Sequence, residues 1–340
     1  MSRIEIKEQA LKSNIATIAT LAPIDKIYAV LKDNAYGHGL LTFASLCAKN
    51  GIKKAVVRGV DEALAISAMF DEVLCLAELN NFDAHKNIYF AVNSMQALAQ
   101  IPKNTKIHLK LDTGMHRCGI STSELYDALV FIANNHIELC GVFSHLRSAD
   151  ELSSESFWQE KNFAEARRFI IDFCATHNMP MPIFHIQNSA GLFRSGGIGD
   201  YDAVRVGIAL YGYMDMPHAV CIPKLSPVAS LWADKICSRE LNAGVSVGYG
   251  GIGKIEENCG VSIYDIGYAD GFPRAQALGE YIFPNNKRRI GRVSMDNICI
   301  DSLDDSVCIF DDASRLAKAY GTISYEVLTR LNPKIKRVVV

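Results

Sequence analysis

The sequence predicts an α/β fold: a (β/α)8 TIM-type barrel over residues 1–224, followed by a mostly β domain over 225–340. Three observations carry this expectation. Eight short runs rich in β-branched residues recur between residues 26 and 207, helix-compatible stretches separate most of them, and a proline cluster then ends the rhythm. Strands alternating with helices build right-handed βαβ units on a parallel sheet. Eight such units are enough to close a barrel. An open doubly wound sheet is the alternative that the same pattern allows.

Taken in order, a first strand-like stretch precedes Leu11, Ile15, Ile18 and Leu21, which recur at helical spacing. The eight runs are KIYAVLK (26–32), KAVVR (54–58), EVLCLAE (72–78), NIYFAVN (87–93), KIHLKLD (106–112), ELCGVFSH (138–145), IFHIQN (183–188) and AVRVG (203–207). Between them, DEALAISAMF (61–70) and ESFWQEKNFAEARRFIIDFCATH (155–177) read as helices. Pro217, Pro223 and Pro227 mark a linker, because each removes a backbone donor and interrupts regular structure. Beyond it, VASLWADKI (228–236), CGVSIYDIG (259–267) and the alternating RIGRVSMDNICI (289–300) read as strands. There is no internal repeat and no low-complexity tract.

Composition narrows the function classes. The chain has 340 residues, 49% hydrophobic and 21% charged, as in an ordinary globular protein. A formal charge of −2 with no basic block offers nothing to nucleic acid or to an acidic membrane surface. Glu5, Lys7, Glu8 and Lys12 interrupt the N-terminal apolar residues, so a signal peptide's apolar core is missing. No stretch is long enough to span a bilayer, and a cytoplasmic location is expected. Ten cysteines stand singly, never as C-x-x-C, and read as reduced, mostly buried thiols with no metal site.

In a barrel of this kind, catalytic groups sit at the C-terminal ends of strands. Those ends carry Lys32, Lys110 with Asp112, His145, Asn188 and Arg205. A lone lysine there could simply extend its ammonium into solvent. In KIHLKLD, the strand period places His108, Lys110 and Asp112 on one face. An inward ammonium on that face must be paired, with Asp112 for example, or neutralised. Gly248, Gly250 and Gly253 satisfy G-x-G-x-x-G, but a dinucleotide site needs a strand before it and a helix after it. Here KIEENCGVSIYD (254–265) follows and reads as a strand after a turn, so the match is accidental.

The segment AVLKDNAYGHG (29–39) resembles the cofactor-lysine signature of alanine racemases. Further matches follow in order: LDTGMHRCG, GVFSHLRSAD, QNSAG, DAVRVGIALYG, VGYGG, IGYADGFPR, GRVSMDN and TISYE. The resemblance covers nearly the whole chain and implies the barrel-plus-β fold. It also implies a homodimeric isomerase that interconverts L- and D-alanine with pyridoxal 5′-phosphate and supplies D-alanine for peptidoglycan. Removing a proton from Cα is difficult, and the cofactor supplies the electronic means. The protein supplies an anchoring amine and two bases on opposite faces.

By this resemblance, Lys32 holds the cofactor as a Schiff base and later serves as one base. Tyr249 is the other base and reaches the site from the second subunit. A free phenol holds its proton to about pH 10, and His145 is the residue expected to assist it. Arg205 would face the pyridine nitrogen without giving it a full proton. Tyr36, Ser189, the backbone of Gly207 and Ile208, and Tyr325 would hold the phosphate. Arg117 would bind the substrate carboxylate, and Met295 of the partner, with Asp296 beside it, would line the substrate site. Family members often carry a carbamate on the lysine matching Lys110, and its charge would orient Arg117. A decarboxylase of the same fold group and a non-catalytic cofactor carrier are the competing readings; the GRVSMDN and VGYGG pairing argues against the first, and the stretch after Pro227, with Tyr249 in it, against the second. The chain departs from the family pattern at Gly248, where Ser is usual, at Val206, where Pro is common, at Arg147, where a small residue is usual, and in its ending PKIKRVVV. Serine as a further substrate is left open.

Overall fold

The computed structural model describes residues 1–78, 81–82, 86–216, 224–275 and 281–340; of the linker prolines, Pro217 and Pro223 lie outside the described residues. The chain forms two units. One comprises Met1–Leu11, Asn34–Thr42 and Ser226–Val340, and the other Lys12–Asp33 and Phe43–Leu225.

Strand β1 (Arg3–Ile6) belongs to the first unit. The second unit contains β2 (Ile27–Val30), β3 (Lys54–Val57), β4 (Glu72–Cys75), β5 (Ile88–Val92), β6 (Lys106–Lys110), β7 (Glu138–Phe143), β8 (Ile183–His185) and β9 (Val204–Val206). All pair in parallel, in the order β8-β7-β6-β5-β4-β3-β2-β9. Across the remaining seam, the Asp202 amide donates to Phe184 O at 3.0 Å and the Arg205 amide to Gln187 O at 3.1 Å. Each of the eight runs read from the sequence supplies one barrel strand.

The alternation in β6 has a structural outcome. Ile107, Leu109 and Leu111 join the apolar cluster of Leu125, Leu129 and Ile132 from the helix Leu125–Asn134 and Phe163 and Ile170 from the helix Glu155–Thr176. His108, of opposite parity, meets Glu72 and His185, which belong to two other barrel strands.

The first unit is built on a seven-stranded sheet. Its later strands are β10 (Ala229–Leu241), β11 (Ser246–Val247), β12 (Gly253–Lys254), β13 (Cys259–Tyr264), β14 (Arg289–Ile290), β15 (Ile298–Ile300), β16 (Ser306–Phe310) and β17 (Lys336–Val339). The sheet order is β14-β15-β13-β10-β1-β17, with β16 also on β10, while β11 and β12 form a separate hairpin. β1 lies antiparallel to β10 and parallel to β17. A register shift between Lys235 and Cys237 lets the early part of β10 pair with β1 and β16 and its later part with β13.

Two details differ from the sequence reading. RIGRVSMDNICI is not one strand: β14 and β15 pair antiparallel, and Gly291, at φ 73°, opens the turn between them. Of the nine described cysteines, all free, four are buried, four are partly buried and Cys237 is exposed. Apolar neighbours in sequence do not report which face of a sheet is covered. No described helix is long and apolar enough to cross a membrane.

Candidate active site

Lys32 follows β2 and begins the short turn Lys32–Tyr36. Asp33, Asn34, Ala35 and Tyr36 have φ of 55°, 58°, 50° and 47°, so four consecutive non-glycine residues are left-handed. That conformation costs roughly 1–2 kcal/mol per residue, and specific bonds hold it. The Asn34 side chain accepts from the Leu40 amide at 2.9 Å, and Asn34 O accepts from the Gly39 amide at 3.0 Å. The Gly37 carbonyl accepts from Nε and Nη2 of Arg337 at 3.2 and 2.8 Å. Gly37 itself has φ 79°, and a Cβ there would lie 2.0 Å from Leu328 O. The Tyr36 ring packs beside Tyr325, with centroids 5.7 Å apart.

The other barrel strand ends bring a donor-rich set together. Ser189 opens the helix Ser189–Ser195, whose first turn is capped by Asn188 accepting from the Gly191 amide at 2.8 Å. The Ser189 hydroxyl accepts from the Gly207 amide at 3.0 Å, which joins that helix to the Gly207–Ile208 segment after β9. Arg205 is 5% exposed and donates to His185 Nδ1 at 2.8 Å and to the carbonyls of His185, Ser144 and Ile186 at 3.2, 2.6 and 3.2 Å. It also stands 3.4 Å from His145 Nδ1. Burial pulls the guanidinium down to about 10, which leaves it a cation at neutral pH. Burial, then the positive charges of Arg205, Lys110, Arg117 and Lys32, pulls His145 down to about 3. His145 is therefore a neutral imidazole at neutral pH.

The loop carrying Arg117 is closed at its base, where the Asp112 amide donates to Ile120 O at 2.9 Å and the Ile120 amide to Lys110 O at 2.7 Å. Asp112 does not pair with Lys110. Its carboxylate accepts from the Gly114 and His116 amides, both at 3.0 Å, while Lys110 Nζ donates to Cys118 Sγ at 2.8 Å. Arg117 is exposed. Arg147 is tied down: it bonds Glu155 and donates to Gly114 O at 3.1 Å, stapling this loop to the long helix. A groove of about 720 Å³ borders the loop, lined by Asp112, Gly114, His116, Tyr126, Asn162 and Phe169 among others, without Lys32, His145, Ser189 or Arg205.

In the unit that contains the seven-stranded sheet, Tyr249 sits at the tip of the β11–β12 hairpin and is 64% exposed. This hairpin disposes of the dinucleotide match, since no helix follows Gly253. Gly253 lies against Gly291, and a Cβ on Gly253 would come within 2.5 Å of the Gly291 amide. The Met295 turn is held by the Ala269 amide donating to Met295 O at 2.8 Å and the Ser294 amide to Asn297 O at 2.9 Å, leaving Met295 58% exposed. Asp296 accepts from the Asn297 side chain at 3.0 Å.

Lys32, Lys110, Arg117, His145, Ser189, Arg205, Gly207 and Ile208 thus belong to the barrel unit, while Tyr36, Tyr325, Tyr249 and Met295 belong to the sheet unit. Sequence reasoning did not single out Tyr28, Glu72 or His185, which meet inside the barrel. Their signal was parity alone, since each occupies an inward position of a strand.

The families described as alanine racemase N-terminal domain and alanine racemase C-terminal domain match residues 6–215 and 228–339. Alanine racemases of Nitratiruptor and Campylobacter curvus are 45% and 40% identical, each over 99% of both chains. Among solved structures, alanine racemase from Bacillus anthracis with bound L-Ala-P superimposes with a TM-score of 0.87 at 25% identity, covering 100% of this chain and 95% of that one. The Clostridium difficile enzyme gives 0.87 at 26% identity with the same coverage.

Proposed function

The chain belongs to the alanine racemase family and is an amino-acid racemase, and from that premise we propose that it interconverts L- and D-alanine on a pyridoxal 5′-phosphate anchored to Lys32. The observation that carries this reading is the donor set at the barrel mouth. An amine at Lys32, a hydroxyl and amide at Ser189 and Gly207, and a buried guanidinium at Arg205 suit the aldehyde, phosphate and ring nitrogen of that cofactor. Bound there, the cofactor would spread the electrons left when Cα loses its proton.

The chain's own residues do the rest. Lys32 holds the cofactor and, once released, moves the Cα proton on one face. Tyr249 of the partner subunit moves it on the other, which makes racemisation possible because a single base would return the proton to its own side. His145 directs Nδ1 toward Arg205, so its hydrogen is on Nε2 and can be donated to the phenol oxygen. Arg205 supports the ring nitrogen while keeping its own proton. Arg117 receives the substrate carboxylate through its planar donor fork. Tyr36 and Tyr325 complete the phosphate contacts. The exposed side chains of Tyr249, Ile252 and Met295 support a homodimer with shared sites. D-alanine for peptidoglycan is the product that this activity would supply, from the cytoplasm.

Borohydride reduction of the loaded protein should fix the cofactor to one peptide, that of Lys32. L-alanine incubated in deuterated water should yield D-alanine with deuterium at Cα. An adduct on another lysine, or release of carbon dioxide in place of D-alanine, would reject the reading.

A further inference from the structure

One layer of the barrel interior is polar. It is filled by Tyr28 on β2, Glu72 on β4, His108 on β6 and His185 on β8, one side chain from every second strand. Such layers are ordinarily branched aliphatics, and buried polar groups are costly unless each is satisfied. This layer is closely fitted. The His185 ring stacks between Tyr28 and Phe143, with centroids 5.5 and 5.1 Å away. Gly141 makes room for His108, because a Cβ there would come within 2.6 Å of the ring. Both histidines are fully buried, and the Glu72 side chain is 13% exposed.

The contacts form a line. Arg205 Nη1 lies 2.8 Å from His185 Nδ1, and His185 Nε2 lies 3.0 Å from His108 Nδ1. His108 Nε2 makes no hydrogen bond of regular geometry and stands 3.2 Å from Glu72 Oε1, to which Tyr28 donates. Direction is set from the arginine end. A guanidinium only donates, so His185 Nδ1 carries no hydrogen. The ring's hydrogen is then on Nε2 and is donated to a bare Nδ1 of His108. His108 accordingly carries its own hydrogen on Nε2, facing the carboxylate. An imidazolium at His108 would set two N–H groups against each other. Two neutral rings therefore separate the cation Arg205 from the anion Glu72.

We propose that Glu72 is a positioning residue for Arg205: by accepting from His108 it fixes both imidazoles as Nε2–H tautomers and keeps His185 Nδ1 open to the guanidinium. Its relevance to catalysis rests on the reading of Arg205 as the group facing the cofactor ring. Without an acceptor at position 72, His108 can carry its hydrogen on Nδ1. His185 then takes one on Nδ1, opposite the Arg205 donor, and the guanidinium loses part of its seat.

The test is 15N NMR of histidine-labelled protein, with and without cofactor, the rings being assigned by single-histidine replacements. Wild type should show His108 and His185 neutral and protonated at Nε2. Glu72→Met, similar in length but without an acceptor, should scramble both tautomers. Glu72→Gln, whose amide oxygen still accepts, should restore them. In the loaded enzyme, Glu72→Met should displace the visible cofactor band and lower kcat about tenfold, the scale of one lost buried hydrogen bond, with a smaller change in KM. Glu72→Gln should recover most of that loss. Hydrogen on Nδ1 of His185 in wild type, or unchanged tautomers in a folded Glu72→Met protein, would overturn the proposal. If circular dichroism shows that Glu72→Met does not fold, the wild-type and Glu72→Gln spectra still decide it. The tautomers are read without cofactor, so failure of the Lys32 reading would appear separately in the borohydride map.

Discussion

Tyr249 and Met295 are each more than half exposed, an unusual state for groups expected to touch a substrate. The proposed homodimer would cover both. Tyr249→Phe should keep the visible cofactor band while lowering racemisation by about a hundredfold or more, the range for a lost acid–base group. Hydrogen exchange at Cα should fail for one enantiomer only; exchange of both at wild-type rates would remove Tyr249 from that role. At Lys110, the structure gives the amine a thiol neighbour and leaves Asp112 to backbone amides and the His116 imidazole, 3.5 Å away. A carbamate at Lys110 would supply the anion that Arg117 needs to stay pointed. Lys110→Ala should therefore lose activity and regain part of it with added short carboxylates, whereas full activity without them would end the idea. The placement of Lys32, His145, Ser189 and Arg205 at or just past barrel strands was legible because the apolar runs and local motifs mark those ends. Glu72 and Tyr28 were not. A glutamate opening the run EVLCLAE reads like a solvated charge, and only closure of the barrel shows that it points inward.

At the scale of elements, the turn Asp33–Tyr36 is where local preference and structure disagree most. NAYGHG marked the place but not the handedness, since nothing in Asp, Asn, Ala and Tyr together prefers positive φ. The reason lies far along the chain, in Leu328 and Arg337. Gly37→Ala should thus destabilise by at least about 2 kcal/mol, because strain and a backbone clash add. Gly196→Ala is the control: φ is 66° there too, but nothing lies within 4 Å of a new Cβ. It should cost about 1 kcal/mol. Denaturant midpoints of the two variants measure the difference, and equal losses would show that the Leu328 carbonyl yields. The barrel strands were easier to read, because parallel strands covered on both faces are short apolar runs. The first strand was recognised as a strand, but its pairing with β10 and β17 was not, since pairings of such separation leave no local pattern.

For the whole molecule, two predictions follow from assembly and from titration. Mixing inactive Lys32→Ala and Tyr249→Phe chains should restore activity, with about a quarter of sites holding both intact groups if chains exchange at random. Proven exchange without recovery would argue against shared sites. His38 and His185 are completely buried; burial foremost lowers His38 to about 4 and His185 well below its ordinary value. Unfolded imidazoles titrate near about 6.5, so below that pH the unfolded chain binds more protons than the folded one. The stability tied to these two rings is complete above about pH 6.5 and is lost as pH falls below it, down to about 4 for His38 and further for His185, at about 1.4 kcal/mol per pH unit for each ring. Denaturant midpoints taken at successively lower pH should fall accordingly. A flat profile would show that the rings are already charged in the fold.

The clasp on Gly37 also has a consequence in time. Its carbonyl waits for Arg337, 300 residues later, and a ribosome adding about 5–20 residues per second needs roughly 15–60 s to supply it. During that interval the nascent chain already displays Lys32 but cannot lock the turn beside it. Under the proposed anchoring at Lys32, secure hold on the cofactor would be a late event of synthesis. A chain cut before Ile323 should accordingly lose cofactor faster on gel filtration than the full-length protein.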